Sequence, residues 1–344
     1  MQNGNYFASM NTGDGFRSYY GEVYGKAERV YVIKGGPGTG KSTLMKRLAR
    51  KAENAGEEVE RYYCSSDVNS LDGIILKKRG YAVVDGTPPH IFEPRYPGVR
   101  DVTVDLGKNW DIDKLRKNER EAVELTDGKK KGFSALYKTL STLKKLEDEM
   151  TEISGRALDC DKILSYASRF FRGENKRGRG KIQTRVVSGY TSSGVVSFDT
   201  FEKNSDEVFN VTDRFGAAKR FLSLIAEHCE RNGIDAVVSP YWLDPSKITS
   251  LYIPERRVTF VAGGVYAQNA INIDRFIKRE ELKSHRSYLR FLKKCSASCM
   301  EAADAEFASI SVLHGRLEEI YSSAMDFSKN EAVFEELSSD VFSF

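Results

Sequence analysis

The apolar positions of this chain follow two periods, and the switches between them mark its elements. Residues 29–34, RVYVIK, are a β-branched and aromatic run that predicts a strand. After GGPGTGKST at 35–43, the segment LMKRLARKAENAG sets Leu44, Met45, Leu48 and Ala52 at helical spacing, and Gly56 falls where a helix C-cap belongs. EVERYYC at 58–64 predicts a second strand, and YAVVD at 81–85 a further short one closed by an acid. Beyond residue 112 the period turns helical. Residues 113–130 read as one helix, 133–150 as a second with Phe133, Leu136, Leu140, Leu143 and Met150 on one stripe, and 159–171 as a third. A similar stripe runs through 282–324, from Leu289 past Phe307, Ile310 and Leu317 to Tyr321. These stretches predict α-hairpins packed on or projecting from sheet domains, with core packing favoured over a partner-binding arm.

The chain also repeats itself. FASMNTGDGFRSYY from Phe7 overlies VVSGYTSSGVVSFD from Val186, with Thr12 on Thr191, a shift of 191 − 12 = 179. VYVIKGGPGTGKSTLMKRLA overlies VFNVTDRFGAAKRFLSLIA, with Lys41 on Lys219 and Leu44 on Leu222, a shift of 178. Gly56 falls on Gly233 and Asp67 on Asp244, a shift of 177, and after a shorter loop Leu115 falls on Leu282. A shift that drifts so slowly over so many elements indicates a duplicated domain. The expected architecture is α/β: two duplicated domains with parallel sheets, each with a helical hairpin appendage. The first spans 1–172 with a helical insert at 113–171, a basic Gly-rich linker covers 173–184, and the degenerate second copy spans 185–344.

Strand, Gly-rich loop, helix is the context that makes the G-x-x-x-x-G-K-[ST] match at 35–42 chemically meaningful. Gly35, Gly36, Gly38 and Gly40 lack a Cβ, so the loop they form with Pro37 and Thr39 can turn tightly and converge its N–H groups on phosphate. The helix that follows, from Lys41, Ser42 and Thr43 onward, adds its positive end. Lys41 supplies a charge for the β- and γ-phosphates, and the Ser42 hydroxyl can ligate Mg²⁺. An acid at the C-terminal end of a buried strand belongs near such a ligand, so Asp85 is the first choice to hold the metal shell or orient the attacking water, and Asp67 the second. Asp85 can also be read as a turn residue before Gly86. His90 reads as a surface-loop residue or a nucleotide contact, and Cys64 as a small apolar residue at a strand end or a reactive thiol. Ser65 and Ser66 either cap the turn or donate to phosphate.

In the second copy this loop has lost its parts. Asp213, Arg214 and Phe215 replace Gly35, Gly36 and Pro37, and Ala262 stands at the position of Asp85. Arg220 falls on Ser42, and only Gly216 and Lys219 survive in that alignment. No nucleotide is expected there, although Arg214, Lys219 or Arg220 could bind a different anion.

Composition narrows the class without naming a partner. The 344 residues are 40% hydrophobic and 30% charged, an ordinary globular balance, and the formal charge of +4 is too mild to require nucleic acid or an anionic membrane. The basic cluster at 172–181 lacks interleaved aromatics, so nucleic acid is not expected as a partner. Five scattered Cys suit reduced thiols in a cytosol, and Cys295 and Cys299 read as buried thiols rather than metal ligands. The N-terminal stretch has no signal-peptide pattern and no apolar run reaches the roughly 18 residues of a membrane span. The expectation is a cytoplasmic protein without a membrane span.

IKGGPGTGKSTLMK, then YYCSSDVNSLDG, then VVDGTPPH with a following YPG, together with the FAS-x-NT-x-x-GF start, resembles an uncharacterised bacterial family of tandem P-loop ATPases. The resemblance runs in order over most of the chain. It implies ATP binding and hydrolysis in the first copy and supplies no substrate or pathway. Members of that family often keep an intact loop in the second copy also, and this sequence departs there. The leading expectation is a Mg²⁺-dependent ATPase that drives a protein partner. The alternatives are a small-molecule kinase, with His90, Asp67 or Asp72 toward the acceptor, and a nucleotide-gated binding module without turnover.

Overall fold

The computed structural model describes residues 3–89, 91–174, 176–263 and 269–342. The first half runs β1 (Gly4–Phe7), β2 (Ser9–Thr12), β3 (Gly15–Ser18), α1 (Tyr20–Tyr24), β4 (Arg29–Lys34), α2 (Lys41–Asn54), β5 (Val59–Tyr63), β6 (Leu71–Leu76), β7 (Tyr81–Asp85) and β8 (Asp101–Asp105), then α3 (Ile112–Lys117), α4 (Glu119–Arg156) and α5 (Cys160–Phe170). The second half repeats this order as β9 (Ile182–Thr184), β10 (Ser188–Thr191), β11 (Gly194–Ser197), α6 (Thr200–Lys203), β12 (Glu207–Val211), α7 (Ala217–Arg231), β13 (Ala236–Pro240), β14 (Ile248–Ile253), β15 (Val258–Ala262) and β16 (Asn269–Ile271), then α8 (Arg279–Ser284), α9 (Arg286–Ser323) and α10 (Ser328–Phe342).

Each half builds a six-stranded sheet, β1-β5-β6-β7-β4-β8 in one and β9-β13-β14-β15-β12-β16 in the other, so the strand order is the same in both. The sheets are mixed, not parallel as expected. β6 is antiparallel to β5 and β7, and β14 to β13 and β15. The physical reason is connection length: the few residues between β5, β6 and β7 allow hairpins but no crossover. The expected linker is also corrected at its end. Ile182–Thr184 pairs in parallel with Ala236–Val238 as β1 pairs with β5, and Lys176 and Arg179 are held by Glu255 and Glu230.

The helical parts depart most from expectation. The break expected at 131–132 does not exist, because α4 is one helix of 38 residues. Its Gly132 is a point of close approach: a Cβ there would lie 2.7 Å from Ile310 Cγ1 on α9. α9 is also 38 residues long, and both α3–α8 and α4–α9 begin 167 positions apart (279 − 112 and 286 − 119). The two long helices lie antiparallel. Phe133 meets Phe307 edge-on at 5.9 Å, Thr139 donates to Glu306, and Leu125 clusters with Leu317 and Ile320.

Neither copy therefore keeps its own tail, and among the described residues no α-hairpin of the two long helices forms within a copy. α4 carries α5 onto the second sheet, where Ile163, Ala167 and Phe171 join Phe221, Ile225 and Phe260. α9 carries α10 onto the first sheet, where Val333, Phe334, Leu337 and Val341 join Met45, Leu48 and Ile74. The exchange is sealed by matching backbone bridges, Trp110 with Met325 and Ile277 with Leu158. Among the described residues no helix is long and apolar enough to cross a membrane.

This exchange is testable at Phe334, a buried side chain under the Arg47 guanidinium, 3.8 Å from ring centroid to Cζ. Phe334→Ala is expected to cost about 3 kcal/mol in denaturant unfolding. Amide exchange should speed up in α2 and β4 of the first sheet, although Phe334 lies near the chain's C-terminus.

Candidate functional site at the Gly-rich loop

β4 is flanked by β7 and β8, and the Gly-rich loop leaves its C-terminal end beside the end of β7, where Ile33 is paired with Asp85. The loop turns through Gly38 (φ 67°) and Gly40 (φ 88°), left-handed conformations that favour glycine, before α2 begins at Lys41. Among the described residues, none of the backbone N–H groups of Gly36, Gly38, Thr39, Gly40, Lys41, Ser42 and Thr43 donates to a protein oxygen. Unpaired amides beside a helix N-terminus favour an anion.

The side chains converge on the same place. Lys41 Nζ donates to the Gly35 and Gly36 carbonyls at 2.9 and 2.7 Å and stands 3.6 Å from Asp85 Oδ2. The other Asp85 oxygen accepts from the Thr87 N–H and hydroxyl at 2.9 and 2.6 Å, which fixes the carboxylate. Ser42 Oγ accepts from the Leu71 N–H at 3.0 Å, which leaves a second lone pair for a cation. Thr39 is buried and bonds the Gly36 carbonyl, and Asn330 of α10 donates to the Thr39 carbonyl at 3.0 Å. Thr43 is exposed on the first turn of α2.

Asp67 lies in the turn after β5, its carboxylate accepting from the Asn69 N–H at 2.9 Å. Asp72, on β6, is the more unusual acid. Burial first, and the neighbouring Asp85 charge second, push its carboxyl up to about 8, against hydrogen bonds from Cys64 and Tyr20. The Asp72 carboxyl can therefore stay protonated near neutrality. Burial pushes the Cys64 thiol well up, which removes the reactive-thiol reading. His90 lies outside the described residues.

The cover of the loop comes from helices that sequence reasoning assigned to packing. A Cβ on Gly38 would lie 2.8 Å from the Glu318 carbonyl of α9, so the loop and α9 touch backbone to backbone. One turn earlier on α9, His314 Nδ1 is 2.6 Å from Lys129 Nζ of α4. Burial, then Lys129, lowers His314 to about 4, so the ring is neutral and accepts from the ammonium. Burial raises Glu318, with Asp67 next. Trp110 Nε1–H, buried beside Gly36, has no acceptor among the described residues. Lys129, His314, Glu318 and Asn330 carry no local motif. The only sequence signal was the helical stripe, which says nothing of which sheet a helix end reaches.

The corresponding loop of the second copy is closed by its own side chain. Asp213 accepts from the Gly216 and Ala218 N–H groups at 3.0 and 2.8 Å, placing a carboxylate at the head of α7. Ala262 pairs with Val211 as Asp85 pairs with Ile33. The buried faces of the two helices correct one residue of the alignment. Leu44, Met45, Leu48, Ala49 and Ala52 match Phe221, Leu222, Ile225, Ala226 and Cys229, a shift of 221 − 44 = 177. The second loop is thus one residue shorter, Ala218 stands at the position of Lys41, and Lys219 falls on Ser42. Lys219 Nζ is held by Glu147 at 3.1 Å over the Tyr241 ring at 3.6 Å. Among the described residues no cluster of three His, Cys, Asp or Glu could hold a metal ion by itself.

Searches against family models, curated proteins and solved structures gave no match to this chain.

Asp72 sets a pH dependence. Its folded pKa lies above the ordinary carboxyl value, so its stabilising contribution is full below about pH 4 and is lost as pH rises through about 8. Asp72→Asn removes that loss. Between pH 5 and 8 the native protein should lose about 1 kcal/mol per pH unit relative to Asp72→Asn in urea unfolding; parallel profiles would remove the assignment.

Proposed function

We propose that this protein is a Mg²⁺-dependent ATP-binding protein and an ATPase, with one nucleotide site at the Gly-rich loop and a second copy that holds no nucleotide. The observation that carries this reading is the contrast between two equivalent loops. In one, seven N–H groups lack an acceptor among the described residues and a lysine and a serine hydroxyl stand beside them; in the other, a carboxylate of the chain already occupies two of the amides. The resemblance of the sequence to tandem P-loop ATPases points the same way.

In this reading the amides of Gly36 to Thr43 bind the phosphate chain, and Lys41 leaves the Gly35 and Gly36 carbonyls for the β- and γ-phosphates. Ser42 Oγ, with its remaining lone pair, and the Asp85 carboxylate are the oxygen donors that fit Mg²⁺, with Asp67 as the alternative acid. Mg²⁺ supplies charge neutralisation on the phosphates when bound. Asp85, freed from Lys41, also orients the water that attacks the γ-phosphate. Hydrolysis by these groups is electrostatic stabilisation with positioning, and it needs no covalent intermediate on the protein. The unidentified protein partner or small-molecule substrate would meet the site through α9, whose backbone touches Gly38.

Calorimetric titration with Mg-ATP tests the site. Lys41→Ala should weaken binding at least a hundredfold, while Lys219→Ala, whose amine is engaged by Glu147, should leave it unchanged. An equal loss from Lys219→Ala would refute the silent second copy. Asp85→Asn should keep binding within about tenfold and lower phosphate release about a hundredfold, a split that a purely structural Asp85 would not produce.

A further inference from the structure

Arg214 and Phe215, in the loop that Asp213 closes, form a wall of a cavity of about 490 Å³ between that loop, α8 and the start of α9. That volume is in the range of small-molecule sites. Five cations reach it, Arg214, Arg279, Lys283, Arg286 and Arg290, against the single carboxylate of Glu280. Arg214 is paired with Asp274 and Lys283 with Glu280. Arg279, Arg286 and Arg290 have no carboxylate within ion-pair distance among the described residues.

The first copy is the internal control. Its counterpart cavity, about 330 Å³, is lined by Arg116, Glu119 and Asp127 among others, one cation with two acids. Across the shift of 167, Ile112 becomes Arg279, Arg116 becomes Lys283, Glu119 becomes Arg286 and Val123 becomes Arg290. The same fold position has thus changed from mildly acidic to strongly basic in one copy only. Like charges gathered without counter-ions repel one another, and an anion that bridges them relieves the repulsion. The wall is also held rigidly. Phe215 keeps a left-handed backbone (φ 55°), its carbonyl accepts from Ser154 Oγ at 2.8 Å, and Asp213 fixes the amides on either side of Ala217.

We propose that this cavity is a second ligand site, for a compact anion carrying adjacent phosphate groups. It is distinct from the Gly-rich loop and does not rest on the function proposed for that loop. The guanidinium groups suit phosphate oxygens in paired hydrogen bonds, and three of them need no displacement of a protein partner. Free polyphosphate and a nucleoside polyphosphate share this chemistry. Because Arg214 belongs to the loop, an occupant would bear directly on the head of α7.

The test is calorimetric titration of inorganic tripolyphosphate into the full-length Lys41→Ala protein, in which the Gly-rich loop is disabled. One equivalent is expected to bind, more weakly as salt rises. Adding Arg286→Glu and Arg290→Glu, both on an exposed helix surface, should weaken it at least tenfold with the far-UV spectrum unchanged. A nucleoside triphosphate without Mg²⁺ that binds tighter than tripolyphosphate, with the same dependence on Arg286 and Arg290, supports the site and names the nucleoside source. Binding lost in Lys41→Ala alone, or indifferent to the charge reversals, overturns the proposal. So does tighter binding of a single-stranded oligonucleotide that is lost on replacing the exposed Tyr288 and Phe291 with Ala, because the cations would then be part of a nucleic-acid track.

Discussion

The antiparallel seam between α4 and α9 is the contact on which the rest of this structure depends. Each helix begins over the sheet of its own copy and ends over the other, so the two sheets are completed by exchanged tails. The seam requires close approach, and Gly132 against Ile310 shows how close. Without it α5 and α10 would have no way to reach the apolar faces they cover, and both sheets would expose them. Two cores joined in this way are expected to unfold together, since losing either helix strips both.

The seam also explains why the candidate site has walls from distant sequence. The end of α9 lies on the Gly-rich loop at Gly38, and Lys129 of α4 reaches His314 at the same level. The loop would then sense both copies even if only one binds a ligand. In the second copy the same construction places Ser154 of α4 on Phe215 and Glu147 on Lys219. These bonds hold the second loop closed around Asp213. Duplication thus gave two equivalent loops, and the difference between them is one of charge: amides without an acceptor among the described residues at one, amides bound to a carboxylate at the other.

Much of this was legible in the residues. β4, α2, β5 and β7 follow from their periodicity, and the repeat was visible as a slowly drifting shift, down to Leu115 on Leu282. Asp85 at the end of β7 was placed by the rule that ligand sites gather at strand ends, and the structure does bring it to Lys41. What failed had physical causes. The two helices expected at 113–130 and 133–150 are one, and at Gly132 between them, where a glycine lowers helix propensity by about 1 kcal/mol, close packing against Ile310 holds the helix through. β6, LDGIIL, was hidden behind turn residues, and its antiparallel direction follows from connection lengths that no single strand reveals. The one-residue slip at Lys219 arose because a shared Lys attracts an alignment, whereas the buried helix face decides it.

The exchange of tails makes the second copy part of the first. It cannot be removed without uncovering the first sheet. α10 supplies Val333, Phe334, Leu337 and Val341 to the core beneath α2, and Asn330 holds the Thr39 carbonyl at the turn into Lys41. The geometry of the Gly-rich loop is therefore partly a property of the second copy. Any rearrangement of the loop at Gly38 must move with α9 or against it, because no side-chain layer separates their backbones. α9 in turn begins at the basic cavity beside Arg214 and ends at the Gly-rich loop. One helix thus runs from the basic cavity to the Gly-rich loop, which gives an event at either a direct route to the other.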